Sequence, residues 1–233
     1  ELPDPMLQEL TNHWLLYQTI ASRLFAKAGY QQPSGAYGFR DQLQDMLALM
    51  WVDHGRVRTF LEKAAKRQFP EGDVQSWWQE ESGFGARTGL SDPHLWLPYV
   101  AMEYVHASGD QTLWDLILPF LEGGATVKYP ARSSAGIAHE AMETATFYEH
   151  CVRAITLGAT QGLHGLPLLG AGDWNDGLSN AGIKGIGESC WLAWFLIAIL
   201  DRFALVAESR DDQVFAEFCR NHAALYREAM NKF

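Results

Sequence analysis

Two carboxylates bracket a tryptophan and an asparagine in the string LLGAGDWNDGLSN, Leu168 to Asn180: Asp173 and Asp176 lie on either side of Trp174 and Asn175, with Gly172 and Gly177 flanking the set. Three chemistries compete for such a loop. A calcium loop of the EF-hand type wants oxygen ligands at alternate positions and a glutamate at the twelfth, and the string meets neither requirement. A turn in which Asp and Asn merely cap neighbouring backbone is the second reading. A sugar site is the third. Cleaving a glycosidic bond needs a carboxylic acid to protonate the leaving oxygen, and an aromatic face with Asn, Asp and Arg hydrogen-bonders suits a ring with apolar faces and a hydroxyl rim.

Two further strings fit the third reading. GAYGFRDQLQD, Gly35 to Asp45, sets Arg40 beside Asp41 where a glycine-bearing loop enters a helix, a pairing that also occurs as a structural ion pair or cap. RQFPEGDVQSWW offers Asp73, Gln75, Trp77 and Trp78, and adjacent tryptophans are costly to leave bare unless one packs inward or both bind a ligand. The nine tryptophans, several of them next to acidic residues in loops, favour sugar over lipid or nucleotide. No GxxxxGK[ST], strand-borne GxGxxG, HExxH or GxSxG is present, which removes P-loop, dinucleotide, zinc-protease and α/β-hydrolase readings. His150 and His164 read as core or supporting hydrogen-bonders rather than metal ligands, and Glu188 as a helix-start acid.

Helices must position these residues. Asp4 and Pro5 start a first helix running to about Ala28, with Leu7, Leu10, Trp14, Leu15 and Leu24 on its apolar face. A Gly/Pro/Ser-rich break at Gly29 to Phe39 is followed by helices over Asp41–Val52 and about Arg56–Gln68. Asp92-Pro93 repeats the cap-plus-proline signature, Asp110 caps a helix through Leu121, and residues 122–138 read as loop. Glu140–Leu157, Glu188–Ala207 and Asp211–Met230 bring the expectation to about eight helices and no strand series, an all-α chain. Lys and Arg total 18 against 28 Asp and Glu, a net charge of -10 that repels phosphate backbones, so nucleic acid is not an expected partner. Three scattered cysteines signal neither disulfides nor a zinc cluster, which fits a cytoplasmic setting. The apolar run Cys190–Leu200 is short for a membrane span and reads as a buried helix without direct membrane contact. The N-terminus has no signal-peptide layout and no initial Met, as a cut-out piece would.

Taken in order, NHWLLYQT, SGAYGFRDQLQD, RQFPEGDVQSWW, LWLPYVAMEYVHASGD, YEHCVRAI, HGLPLLGAGDWNDG and GESCWLAWFL resemble the inverting phosphorylases of glycoside hydrolase family 94, and above all the phosphorylase-like C-terminal region of cyclic β-1,2-glucan synthases. The resemblance covers nearly the whole chain. It implies an (α/α)6 toroid of the six-hairpin glycosidase kind, in which the second Asp of GDWND, here Asp176, is the general acid. It places Arg40, Asp41 and Trp174 at the non-reducing sugar subsite, with Asp173, Asn175, Trp78, Arg87 and Asp92 as further substrate contacts. Inorganic phosphate would act as co-substrate and nucleophile on a β-linked gluco-oligosaccharide, yielding α-glucose 1-phosphate with no metal and no cofactor. Phosphate is already anionic, so the base that an inverting hydrolase uses to activate water becomes unnecessary. Asp176 must carry its proton when the sugar arrives, and burial beside Trp174 and Asp173 would favour that. The chain departs from the family pattern at RTGLSDPH, through Gly89 and Pro93, and at Leu178, Ser179, Asn180 and Ala181, where the acceptor fit is expected to differ. Residues 1–233 are accordingly expected to be part of a catalytic toroid, without the family's N-terminal β-sandwich and last helices, completed by the remainder of a longer parent chain or by another copy. That parent is expected at the inner membrane. An inverting all-α hydrolase and a non-catalytic carbohydrate-binding fragment are the alternatives.

Overall fold

The structure is a computed structural model and describes residues 1–25, 35–124, 133–178, 180–182 and 184–232. Asp4 accepts hydrogen bonds from the Met6 and Leu7 amides and Pro5 follows it, so α1 (Pro5–Glu9) begins where its sequence predicts. The helical path continues through wider turns at Leu10–Trp14 and Thr19–Phe25 around α2 (Leu15–Gln18). Its apolar face differs from the expected one. Leu16, Ile20 and Leu24 pack on the core, while Leu7, Leu10, Trp14 and Leu15 are exposed. The expected end of this helix at Ala28 and most of the Gly29–Phe39 break lie outside the described residues.

Three helices stand side by side, each backed by the next in sequence. α3 (Phe39–Leu49) lies against α5 (Trp96–Ser108), and α5 against α7 (Cys190–Ser209); their partners are α4 (His54–Ala65), α6 (Phe147–Gly158) and α8 (Gln213–Lys232). The i, i+3, i+4 spacing of Phe39, Leu43 and Met46 gives α3 one buried stripe, as the pattern predicts. α7 is long and apolar enough to cross a membrane by length and composition alone, yet half of it, including Leu192, Leu196, Leu200 and Phe203, is buried in this core.

The all-α expectation is overturned by a five-stranded antiparallel sheet of order β1-β2-β3-β5-β4, formed by Tyr37–Gly38, Gln75–Trp78, Phe84–Thr88, Ile117–Gly123 and Ser133–Thr146. The helix expected from Asp110 to Leu121 is only a short 3-10 turn, Gln111–Asp115, before β4. Residues 133–138 and the first seven residues of the helix expected at 140–157 are strand β5. Its segment EAMETAT is rich in helix formers, but pairing decides: Phe84–Thr88 takes the first part of β5 and Ile117–Gly123 the rest. The expected loop at 122–138 falls partly on residues 125–132, outside the described residues. α6 then starts at a threonine N-cap, Thr146 Oγ1 accepting from the Glu149 amide.

His94 sits in the 3-10 turn Pro93–Leu95, buried, with Nε2 unpartnered among the described residues. Burial pushes its imidazole down to about 4. Below about pH 6.5 the unfolded chain takes up a proton that the folded chain refuses, so stability falls as pH drops towards 4. His94→Leu should remove this component. Thermal unfolding of both proteins at pH 7 and pH 4.5 is expected to give the smaller drop in the variant, by up to about 3 kcal/mol; equal drops would mean that His94 titrates normally in the fold.

Candidate active site

Arg40 is on the first turn of α3, after Gly38 in an extended conformation and beside Asp41, whose charge suits a helix start. Asp92 comes at the start of the turn that leads into α5. The segment between β3 and that turn pairs with the loop that carries the two carboxylates. The Ala171 amide donates to the Gly89 carbonyl (2.7 Å) and the Ser91 amide to the Gly172 carbonyl (2.9 Å). Gly170 lies at φ +61°, and a Cβ there would stand 2.4 Å from the Gly89 carbonyl oxygen, so only glycine permits this approach.

The result is one guanidinium with many partners. Arg40 Nη2 donates to both oxygens of Asp176 at 3.2 Å. Nη1 is shared among the Asp92 carboxylate (3.5 Å to each oxygen) and the Asp173 (3.5 Å) and Trp174 (3.4 Å) carbonyls, contacts at the long end of the hydrogen-bond range. Burial alone would lower the Arg40 pKa, but Asp92, Asp176 and Asp41 together hold it above the usual arginine range. The two carboxylates differ in environment. Asp92 is wholly buried and also accepts from Trp96 Nε1 (3.0 Å); burial pushes it up to about 6, with Arg40 and the Trp96 bond opposing. Asp176 opens a 3-10 turn with 42 % of its side chain exposed, next to Trp174 at 48 % exposure, whose indole points a long 3.5 Å contact at Gln44 Oε1. The expectation that Asp176 is buried beside Trp174 is therefore not met.

The remaining candidates divide. Asn175 is exposed in the same loop and accepts from the Gly177 amide. Asp173, expected to contact substrate, is buried and spends both oxygens internally, on the Asn175 amide (2.9 Å) and the Ser189 hydroxyl (2.6 Å). Trp78 is a core residue with no exposed surface, stacked on Tyr37 at 5.2 Å between ring centroids. Arg87 is turned to Asp73 (2.7 Å from Nε) over the face of Phe69, away from the Arg40 group. The sequence reading took Asp92 as a helix cap as well as a contact; its carboxylate caps nothing and turns to Arg40 and Trp96 instead. Ser189, Trp96 and Gln44 were not singled out. Ser189 carries the cap signature of a Ser before an apolar run, but nothing in the sequence pairs it with Asp173. Ser179, expected to alter the acceptor fit, lies outside the described residues. No cluster of three or more His, Cys, Asp or Glu suited to a metal ion occurs among the described residues. Glu188 holds the neighbouring loop, accepting from the His164 and Leu166 amides and from His164 Nδ1.

The catalytic-domain model of the glycosyl hydrolase 94 superfamily matches residues 1–233. The cyclic beta-(1,2)-glucan synthase NdvB of Rhizobium meliloti (strain 1021) is 38 % identical over the whole chain, which spans 8 % of that protein. The solabiose phosphorylase of Paenibacillus borealis is 28 % identical over 99 % of the chain and 27 % of its own length. The N,N'-diacetylchitobiose phosphorylase of Vibrio furnissii is 23 % identical over 97 % of the chain and 29 % of its own length.

A buried carboxyl that resists ionisation has a measurable consequence. The folded chain keeps a proton on Asp92 between about pH 4 and pH 6 that the unfolded chain releases, so through this group stability falls as pH rises across that window. Asp92→Asn lacks the component. Relative to the parent, the variant should gain up to about 3 kcal/mol on going from pH 4 to pH 7 in denaturant titrations; a constant difference between the two would place the Asp92 pKa near its ordinary value.

Proposed function

The chain belongs to the glycosyl hydrolase 94 superfamily, and from that membership we propose that this domain carries out inverting phosphorolysis of a β-glucosidic bond, with Asp176 as the general acid. The observation that carries the proposal is the pairing of an open carboxylate with a half-exposed tryptophan over a largely buried arginine. Asp176 and Trp174 face solvent in a loop clamped by Arg40, so a pyranose ring can reach both. Arg40 and Trp174 would hold the non-reducing glucosyl unit, Asp41 and Asn175 standing by as hydroxyl partners. Asp176, carrying its proton, donates it to the glycosidic oxygen while inorganic phosphate attacks the anomeric carbon from the opposite face. The C–O bond to the leaving sugar breaks, that sugar departs as an alcohol, and the product is α-glucose 1-phosphate.

A hydrolytic reading requires a second carboxylate roughly 6.5–9.5 Å from the acid with room for water between them. Asp92 is the other carboxylate on Arg40, and it is fully buried and bonded to Trp96, closed to a water that must be activated. This supports an anionic nucleophile that needs no base. The names of two relatives, both phosphorylases, support the reaction class, and the name of the glucan synthase supports a β-1,2-linked substrate.

The test is to incubate the intact protein with β-1,2-linked gluco-oligosaccharides and inorganic phosphate and measure glucose 1-phosphate. Asp176→Asn is expected to lower kcat by about 10²–10⁴-fold. Release of free glucose at the same rate without phosphate would overturn phosphorolysis in favour of hydrolysis. Sugar binding with no turnover in the presence of phosphate would point to a non-catalytic module.

A further inference from the structure

We infer that Ser189 is a positioning residue for the proposed acid, holding the Asp176 turn through Asp173; the inference rests on the reading of Asp176 given above. The geometry forms a relay. The Leu192 amide, in the first turn of α7, donates to Ser189 Oγ (3.0 Å), and the Ser189 hydroxyl donates to Asp173 Oδ2 at 2.6 Å, within the range of a charge-assisted bond. Asp173 Oδ1 then accepts from the Asn175 amide, one residue before Asp176. Ser189 and Asp173 are both buried. Arg40 reaches the Asp173 backbone carbonyl rather than its carboxylate, so among the described residues no ion pair anchors that carboxylate, and the serine hydroxyl is the side-chain donor that does.

The requirement at position 189 is therefore double. The side chain must accept from an α7 amide and at the same time donate to a buried carboxylate, and among the good N-cap residues a hydroxyl does both while an aspartate cannot donate. A cap with no further role asks only for the first. Asp173 without its donor is a buried carboxylate left half satisfied, and the turn that it braces is free to shift. Since proton transfer depends on the acid lying within hydrogen-bond reach of the leaving oxygen, a small displacement of Asp176 acts on the chemical step more than on sugar binding.

Ser189→Gly separates the two roles, because glycine is a tolerated N-cap that costs little stability yet removes the hydroxyl. In the intact protein, Ser189→Gly should lower kcat for phosphorolysis of a β-1,2-gluco-oligosaccharide by roughly ten- to hundredfold with KM changed less than about twofold, and Ser189→Thr should restore most of the loss. With 2,4-dinitrophenyl β-glucoside, whose leaving group departs without a proton, Ser189→Gly should retain the parent rate within about twofold. Equal losses on both substrates, or no loss on the oligosaccharide, would overturn the positioning role. Asp176→Asn measured alongside keeps the two ideas apart. If it is slowed on the oligosaccharide but spared on the activated substrate while Ser189→Gly is unaffected, only the relay fails; if it is slowed equally on both, the acid assignment fails and the relay with it.

Discussion

A guanidinium withdrawn from water is stable only where negative charge surrounds it, and Arg40 meets that condition by drawing in groups from two distant places in the sequence. Asp92 comes 52 residues later, and the Asp173–Asp176 loop more than 130 residues later. Each helix of the inner row contributes at or just before its start: Arg40 in the first turn of α3, Asp92 ahead of α5 and Ser189 capping α7. Packing α3 against α5 and α5 against α7 thus brings the three helix starts to one end of the row, and the charge cluster is where they meet. Loss of the arginine would leave Asp92 as an uncompensated buried carboxyl and the loop without its clamp.

The sheet serves the same end by a different route. β3 runs directly into Gly89–Ser91, which pairs with Gly170–Gly172, and that pairing delivers the acidic loop to the arginine. The side chains of the sheet have their own work: Trp78 stacks in the core, and Arg87 lies over Phe69 in the grip of Asp73. Two residues that read as binding groups by type are in this way engaged in packing, Trp78 on Tyr37 and Phe39 and Arg87 on the 69–73 loop. An aromatic or a cation next to a motif is as readily structural as functional, and only its burial and partners decide which.

What could be read in the sequence follows the range of the interactions concerned. The helix start at Asp4-Pro5 depends on neighbours within three residues and is legible in the sequence; the caps at Asp53 and Ser189 have the same short range, although the sequence pattern puts those helix starts at about Arg56 and at Glu188. The GDWND and FRD strings stand out in the sequence as a candidate site, and the structure brings Arg40, Trp174 and Asp176 together. The strand β5 was not legible, since EAMETAT favours a helix locally and becomes a strand only through its partner at Ile117–Gly123. The inward turn of Asp173 was hidden for the same reason: Asp173 and Asp176 look alike in the string, and what separates them is a hydroxyl on α7.

That separation bears on the chemistry proposed for the site. Besides Asp41, three carboxylates lie within the cluster, and each is fixed differently: Asp92 is sealed beneath Arg40, Asp173 is saturated by Ser189 and the Asn175 amide, and the Asp176 carboxylate faces outward with no side-chain bond among the described residues other than to Arg40. A group that must give a proton to a substrate oxygen has to be able to exchange its present partner for the substrate, and of the three only Asp176 can do so without stranding a buried charge. In the reaction proposed, an arriving sugar hydroxyl that competed for the guanidinium would weaken the hold of Arg40 on Asp176, while Asp92 kept the cation in place. The buried carboxylate would then be what lets the exposed one change partners, and a single acid working with an anionic nucleophile would need no more than that.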